Sequence, residues 1–181
     1  MEAVKSLLVA GYSGFDLGIF SDNDPKVTVI KQAIRERLTA AADNGLEWLI
    51  FSGNLGFEYW AFDEAQAFRE THGIKLATLF PFETHGQNWN EANQLKLGLF
   101  RSADFVKYSF PAYENPSQFA AHDQFLIDNT DGALVLYDEE NETRLHFLID
   151  KLRSTPNYAL DILDFEKLQE IAEDMQENND E

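Results

Sequence analysis

Residues 52–58, Ser-Gly-Asn-Leu-Gly-Phe-Glu, follow a short apolar run, Trp48 to Phe51, and precede a stretch with helical spacing. Two glycines placed where a strand stops and a helix begins let the backbone turn tightly or approach a ligand closely. Backbone N–H groups at a helix start can hold phosphate without a basic side chain. A carboxylate at Glu58 serves either purpose. It complements the macrodipole in a first helical turn, or it accepts hydrogen bonds from ribose hydroxyls. The spacing is not that of a Walker loop, which needs Gly-Lys-Ser/Thr after four intervening residues. From the local pattern, a structural turn and a phosphate seat both stand.

Three other segments carry residue types that could do chemistry. Gly11-Tyr12-Ser13-Gly14-Phe15-Asp16-Leu17-Gly18 holds three glycines in eight residues. It is not G-x-G-x-x-G, and no helix is expected to open directly from it, so a plain loop is the reading. Pro81-Phe82-Glu83 and Gln87-Asn88-Trp89 offer aromatic rings and amides. These could pack in the core, or stack on a base and read its edge. Ser109 to Phe119 contains Asn115-Pro116, a good helix start, read as a structural cap or a second anion seat.

Several tempting motifs fail. Asp22-Asn23-Asp24 resembles the opening of a calcium loop but lacks the Gly and Glu that complete one. His72, His85, His122 and His146 have no metal-ligand spacing, so no metal site is expected. There is no G-x-S-x-G elbow, and no Ser/His/Asp set aligns. Asp128 to Gly132 carries two carboxylates and reads as a helix exit.

The elements that would position these residues alternate along the chain. Strands are expected at Leu7–Ala10, Trp48–Phe51, Leu76–Phe80 (ended by Pro81), Phe105–Tyr108, Ala133–Tyr137 and Tyr158–Leu163. Helices are expected from Pro25 to a stop at Asn44-Gly45, from Phe57 to Gly73, and from about Asn90 to Ser102. Three more start at Asn115-Pro116, at about Thr143, and after a cap at Asp164. The strands are continuous apolar runs, which implies burial on both faces. The fold class expected is α/β: a Rossmann-like open, mainly parallel sheet of about six strands with helices on both faces. Residues 1–175 would form a single domain and 176–181 an acidic, frayed tail. In such sheets ligands bind beyond the carboxyl ends of the strands, near the point where strand order reverses.

The totals agree with that class. The 181 residues include 44% apolar and 13% aromatic residues, as in a globular protein with a core. No apolar run approaches the roughly 20 residues that cross a bilayer. No secretory leader pattern is present, so a cytoplasmic location is expected and membrane association is not. There is no cysteine, hence no disulfide and no thiolate chemistry. A net charge of −18 with 14 Lys plus Arg argues against nucleic acid as a partner.

The runs AGYSGFDLGIF, GLEWLIFSGNLGFEYWAFDEA, PFETHGQNW and ENPSQF…QFLIDNTDGALVLYD resemble, in this order, the YpsA family of bacterial proteins. The resemblance spans Leu8 to Asp138; the chain after about Asn141 is less diagnostic. It implies membership of the SLOG superfamily, with the DNA-processing protein DprA and the LOG phosphoribohydrolases. It further implies occurrence in Firmicutes, a Rossmann-like fold, a nucleotide-type ligand such as NAD or ADP-ribose, and a link to cell division without an established reaction. The family's glycine–acid motif falls on Gly53, Gly56 and Glu58, beside Ser52. Its first-loop glycine falls on Gly11 with Tyr12, and its later aromatic and amide positions on Phe82, Gln87, Trp89 and Gln118. The segment often basic-Asn-Gln-Phe in relatives is His122-Asp123-Gln124-Phe125 here, which weakens a positive phosphate clamp. The enzymatic relatives carry Pro-Gly-Gly-x-Gly-Thr-x-x-Glu; this chain lacks the threonine, and Glu58 stands closer to the glycine.

The leading expectation is a nucleotide-ligand-binding sensor or regulator. Phosphates would lie near Gly11 and Gly53–Gly56, a ribose at Glu58, and a base beside Trp89 or Phe82. The alternatives are a phosphoribohydrolase with Glu58 as its one nameable catalytic group, a DprA-like binder of single-stranded DNA, and a scaffold for a division protein. Exposed parts of Phe57, Trp60 and Phe62 could serve a homo-oligomer, or these rings could be core.

Overall fold

The computed structural model describes residues 3–180. Its centre is one six-stranded parallel sheet built from β1 (Ser6–Gly11), β2 (Trp48–Phe51), β3 (Lys75–Phe82), β4 (Phe105–Phe110), β5 (Gly132–Leu136) and β6 (Ala159–Leu163). The spatial order is β4-β3-β2-β1-β5-β6. The chain steps outward from β1 to β4, then returns to lay β5 on the other side of β1. The reversal of strand order therefore falls between β1 and β5.

The described residues also form seven helices: α1 (Gly14–Leu17), α2 (Pro25–Asp43), α3 (Phe57–His72), α4 (Glu91–Arg101), α5 (Ser117–Asp128), α6 (His146–Ser154) and α7 (Phe165–Asn179). Right-handed crossovers put α2, α3 and α4 on one face of the sheet and α5 and α6 on the other. α7 joins the first group beside α2. Both faces of β1, β2 and β5 are thus covered, which is why Leu8, Val9, Leu49, Phe51, Leu134 and Val135 are all buried. Phe57 and Phe62 are also sealed in the core, and Trp60 nearly so, so packing accounts for these rings without an oligomer.

Four boundaries differ from the sequence expectation. A one-turn helix, α1, does open from the first glycine loop. Ser13 and Asp16 form a reciprocal capping box, and Gly18 ends the turn with a left-handed backbone. Pro81 does not end β3. β2 makes its last pairing at Phe51–Thr78, so by Pro81 the strand has a neighbour only on the β4 side, where Phe82 pairs with Phe110. Proline is tolerated where no ladder donor is needed. α6 begins at His146 because Thr143 Oγ1 accepts from Leu145 N and holds a turn there. α7 continues past Gln176 to Asn179, capped at its start by Asp164 accepting from Lys167 N.

Tyr12 locks the point where strand order reverses. It leaves the end of β1 and is buried against Tyr137 and Phe165. Its hydroxyl accepts from Asp138 N (2.8 Å) and lies 2.6 Å from Asn141 O and 2.9 Å from Asp138 O as donor. Burial pushes the phenol up to about 12, so it stays protonated. Tyr12→Phe strips the partner from a half-buried N–H. It should cost about 1–3 kcal/mol of unfolding free energy, read as a lower urea midpoint with an unchanged slope.

Candidate functional site

The polar groups at the carboxyl ends of β2, β3 and β4 form one connected network. Its centre is the Glu58 side chain, which is 2% exposed. Glu58 sits in the first turn of α3, but its carboxylate folds back under the preceding turn. Oε1 accepts from Ser52 N (2.7 Å) and Gly53 N (3.2 Å), and Oε2 accepts from Asn54 Nδ2 (2.6 Å). Gly53 makes this possible: its φ of +88° aims successive N–H groups at one acceptor, and a Cβ there would lie 2.3 Å from the Phe80 ring. Burial pushes the Glu58 carboxyl up to about 7, against the pull of its donors.

The network continues across the sheet. Ser52 Oγ lies 3.2 Å from His122 Nε2, and His122 Nδ1 lies 2.7 Å from Ser109 Oγ. One imidazole on α5 thereby ties the end of β2 to β4. Burial, with the charge of nearby His85, holds the ring down at about 4, so it is neutral near pH 7. His85 in turn bonds Gly53 O through Nε2 (2.9 Å) and packs its ring on Trp89. Among the described residues, every buried side-chain polar atom has a partner.

The expected site residues fall into three groups. Ser52, Gly53 and Glu58 share the network above. Gly56 and the first loop meet directly: a Cβ on Gly56 would lie 2.5 Å from Tyr12 O and 2.7 Å from Ser13 Cα, while one on Gly11 would strike the Phe57 ring at 2.6 Å. Phe82 and Gln118 belong to the start of α5. Gln118 Oε1 accepts from Glu114 N and Asn115 N, and Nε2 donates to Ala112 O, so it closes the turn. Phe82 is buried under Tyr113 and Phe119, which are themselves 54% and 48% exposed. Trp89 is half-buried and Gln87 exposed on the β3–α4 loop.

This geometry changes what the turn can do. Of the N–H groups expected to hold a phosphate, near Gly11 and Gly53–Gly56, that of Gly53 is already taken by Glu58, together with Ser52 N, and the carboxylate expected to hold a ribose is buried beneath them. Outward, the turn presents exposed Asn54 and half-buried Leu55. His122, Ser109 and His85 were not among the expected site residues. The signal for His122 was its helical phase: it lies four residues after Gln118 and four before Leu126, on the buried face of α5. Among the described residues no cluster of three His or acidic side chains could hold a metal ion, and no helix is long and apolar enough to cross a membrane.

Residues 7–168 match the family described as YspA SLOG (YpsA). The chain belongs to the YpsA family. Relatives include a UPF0398 protein of Lactococcus lactis subsp. cremoris strain SK11, 53% identical over 95% of this chain and 99% of that one. A UPF0398 protein of Streptococcus thermophilus is 52% identical over 93% and 98%. A solved structure of DNA processing protein A from Helicobacter pylori, described for its single-stranded DNA binding mode, aligns over 95% of this chain and 81% of that one. Its TM-score is 0.46 at 13% identity. The charge-based expectation against nucleic acid gains nothing from that neighbour.

For this YpsA-family chain the buried groups set a pH signature. Folded Glu58 and Asp123 hold protons more tightly than when unfolded, with carboxyls pushed by burial to about 7 and about 6. Each therefore adds stability as pH falls through its window. Folded His122 holds its proton more weakly and removes stability as pH falls from about 6.5 to about 4. Glu58→Gln should steepen the acid-side loss of stability, and His122→Gln should flatten it, in urea midpoints followed from neutral pH to about 4.5.

Proposed function

We propose that the protein binds a nucleotide or nucleotide-derived ligand, of the NAD or ADP-ribose type, and acts as a sensor or regulator rather than as an enzyme. The ligand would lie over the carboxyl edge of the sheet, where the first glycine loop meets the β2–α3 turn. One observation carries the choice of binding over catalysis: Glu58, the nameable acid, is enclosed and fully hydrogen-bonded by its own turn. A phosphoribohydrolase needs an acid within reach of the glycosidic oxygen. Here the carboxylate instead holds rigid the wall that a ligand would meet. SLOG membership supports a nucleotide-related ligand, and the reversal of strand order beside the first loop is where open α/β sheets bind one. A regulatory link to cell division would work through the ligand-dependent state of this edge.

The test is thermal unfolding with millimolar NAD, ADP-ribose, AMP and cyclic nucleotides. A ligand at 100 times its dissociation constant adds about 2.7 kcal/mol. That is a midpoint rise of roughly 5–10 °C for a chain of this size. Leu55→Glu, which puts an anion on the outer side of the turn, should lower the rise given by the longer ligands NAD and ADP-ribose and leave the unliganded midpoint within a few degrees. Gly56→Val is not a usable probe: at φ +84° and 2.5 Å from Tyr12 O it should fail to fold. No rise with any of these compounds would overturn the reading. Product formation that disappears with Glu58→Gln would replace it with the enzymatic one.

A further inference from the structure

A groove of about 360 Å³ opens beside the first glycine loop, between α1, the start of α2, the start of α7 and the loop after β5. It lies next to the point where strand order reverses, and it is lined by the Asp16–Ile19 part of the first loop, whereas Gly56 packs on Tyr12–Gly14. The volume falls in the range of small-ligand sites. The walls are apolar, formed among others by Leu17, Ile30, Phe165 and Leu168. Phe15 and Phe20, on the same segment as Leu17 and Ile19, are 81% and 82% exposed. Bare aromatic surface of this kind marks interaction sites.

The polar groups on the lining have a definite character. Asn141 spends its amide N–H₂ on Asp16 O, and Gln169 spends its own on Glu173, which leaves a carbonyl oxygen on each without a partner among the described residues. The Asp16 carboxylate makes only a long 3.3 Å contact to Ser13 N. These are three acceptors, and acceptors recognise ligand donors: hydroxyls and amino groups. The fourth polar residue, Lys26, makes no ion pair among the described residues, in a chain where six other Lys and Arg side chains do. It stands in the first turn of α2, where a cation opposes the macrodipole unless an anion joins it.

We propose that this groove seats the nucleoside end of an adenine nucleotide, with the base among the apolar walls, its amino group and the ribose hydroxyls on the acceptors, and a phosphate oxygen on Lys26. The proposal rests on the nucleotide reading above and names where the ligand's nucleoside goes. Lys26 is exposed on α2 and Ala172 is half-buried on the groove wall of α7, and neither belongs to the core, so their replacement leaves it intact.

The experiment is titration of the full chain with AMP, adenosine and inorganic phosphate, followed by calorimetry and by amide shifts. For the native chain, shifts should concentrate at Leu17, Gly18, Ile30, Asn141 and Ala172. Ala172→Phe, which fills the groove, should weaken AMP and adenosine at least tenfold. Lys26→Gln should weaken AMP about tenfold and leave adenosine unchanged; phosphate alone should bind far more weakly than AMP. AMP binding that survives Ala172→Phe, or shifts confined to Asn54–Gly56, would overturn the groove while leaving the nucleotide reading in place. Absence of binding by AMP, ADP-ribose and NAD alike would overturn both.

Discussion

The carboxylate of Glu58 is the constraint on which the functional edge of this molecule depends. A strand that stops and a helix that starts within five residues leave several N–H groups pointing into one small space. That space is closed to solvent: Ser52 and Glu58 are 8% and 2% exposed, and the Phe80 ring lies against Gly53. Something anionic or strongly accepting must fill it. In many nucleotide-binding folds that partner is a phosphate. Here the chain supplies its own, from one turn into the following helix. The result is a turn whose shape is complete without ligand and whose outward surface is fixed.

The same logic extends through the buried histidine. Ser52 gives its N–H to Glu58, its hydroxyl is hydrogen-bonded with His122 Nε2, and His122 Nδ1 with the Ser109 hydroxyl. Four elements, β2, α3, α5 and β4, are thereby held in register by side chains that would each be costly to bury alone. An acid with a raised proton affinity and a base with a lowered one sit in the same enclosure. Near pH 7 the histidine is neutral and the acid is partway through its titration, its charged form held by the donors of its own turn.

Much of the architecture was legible from the chain. Apolar runs such as Trp48–Phe51 read as strands covered on both faces, and Ile30, Ile34 and Leu38, four residues apart, are the buried face of α2. What was missed was local or non-local in a way that periodicity does not encode. α1 is a single turn made by a capping box, too short to leave a stripe. β3 runs through Pro81 because its neighbour on one side has already ended, a fact about β2. At the site, the glycines stand out in the sequence, and each is required by a neighbouring ring or backbone: Gly11 by Phe57, Gly53 by Phe80, Gly56 by Tyr12. The direction in which Glu58 points, back under its own turn, follows from Gly53's left-handed backbone. The meeting of His122 with Ser52 across 70 residues follows only from the crossover that lays α5 over the sheet.

The most direct measurement is amide exchange and chemical shift at Ser52 and Gly53 in the unliganded chain. If Glu58 fills the turn, both amides exchange slowly, both resonate downfield, and both shift together as the carboxyl titrates near pH 7. They also stay where they are when nucleotide is added. Fast exchange in the free protein, with protection appearing only on nucleotide addition, would mean the N–H groups wait for a ligand, and would contradict the account at its centre.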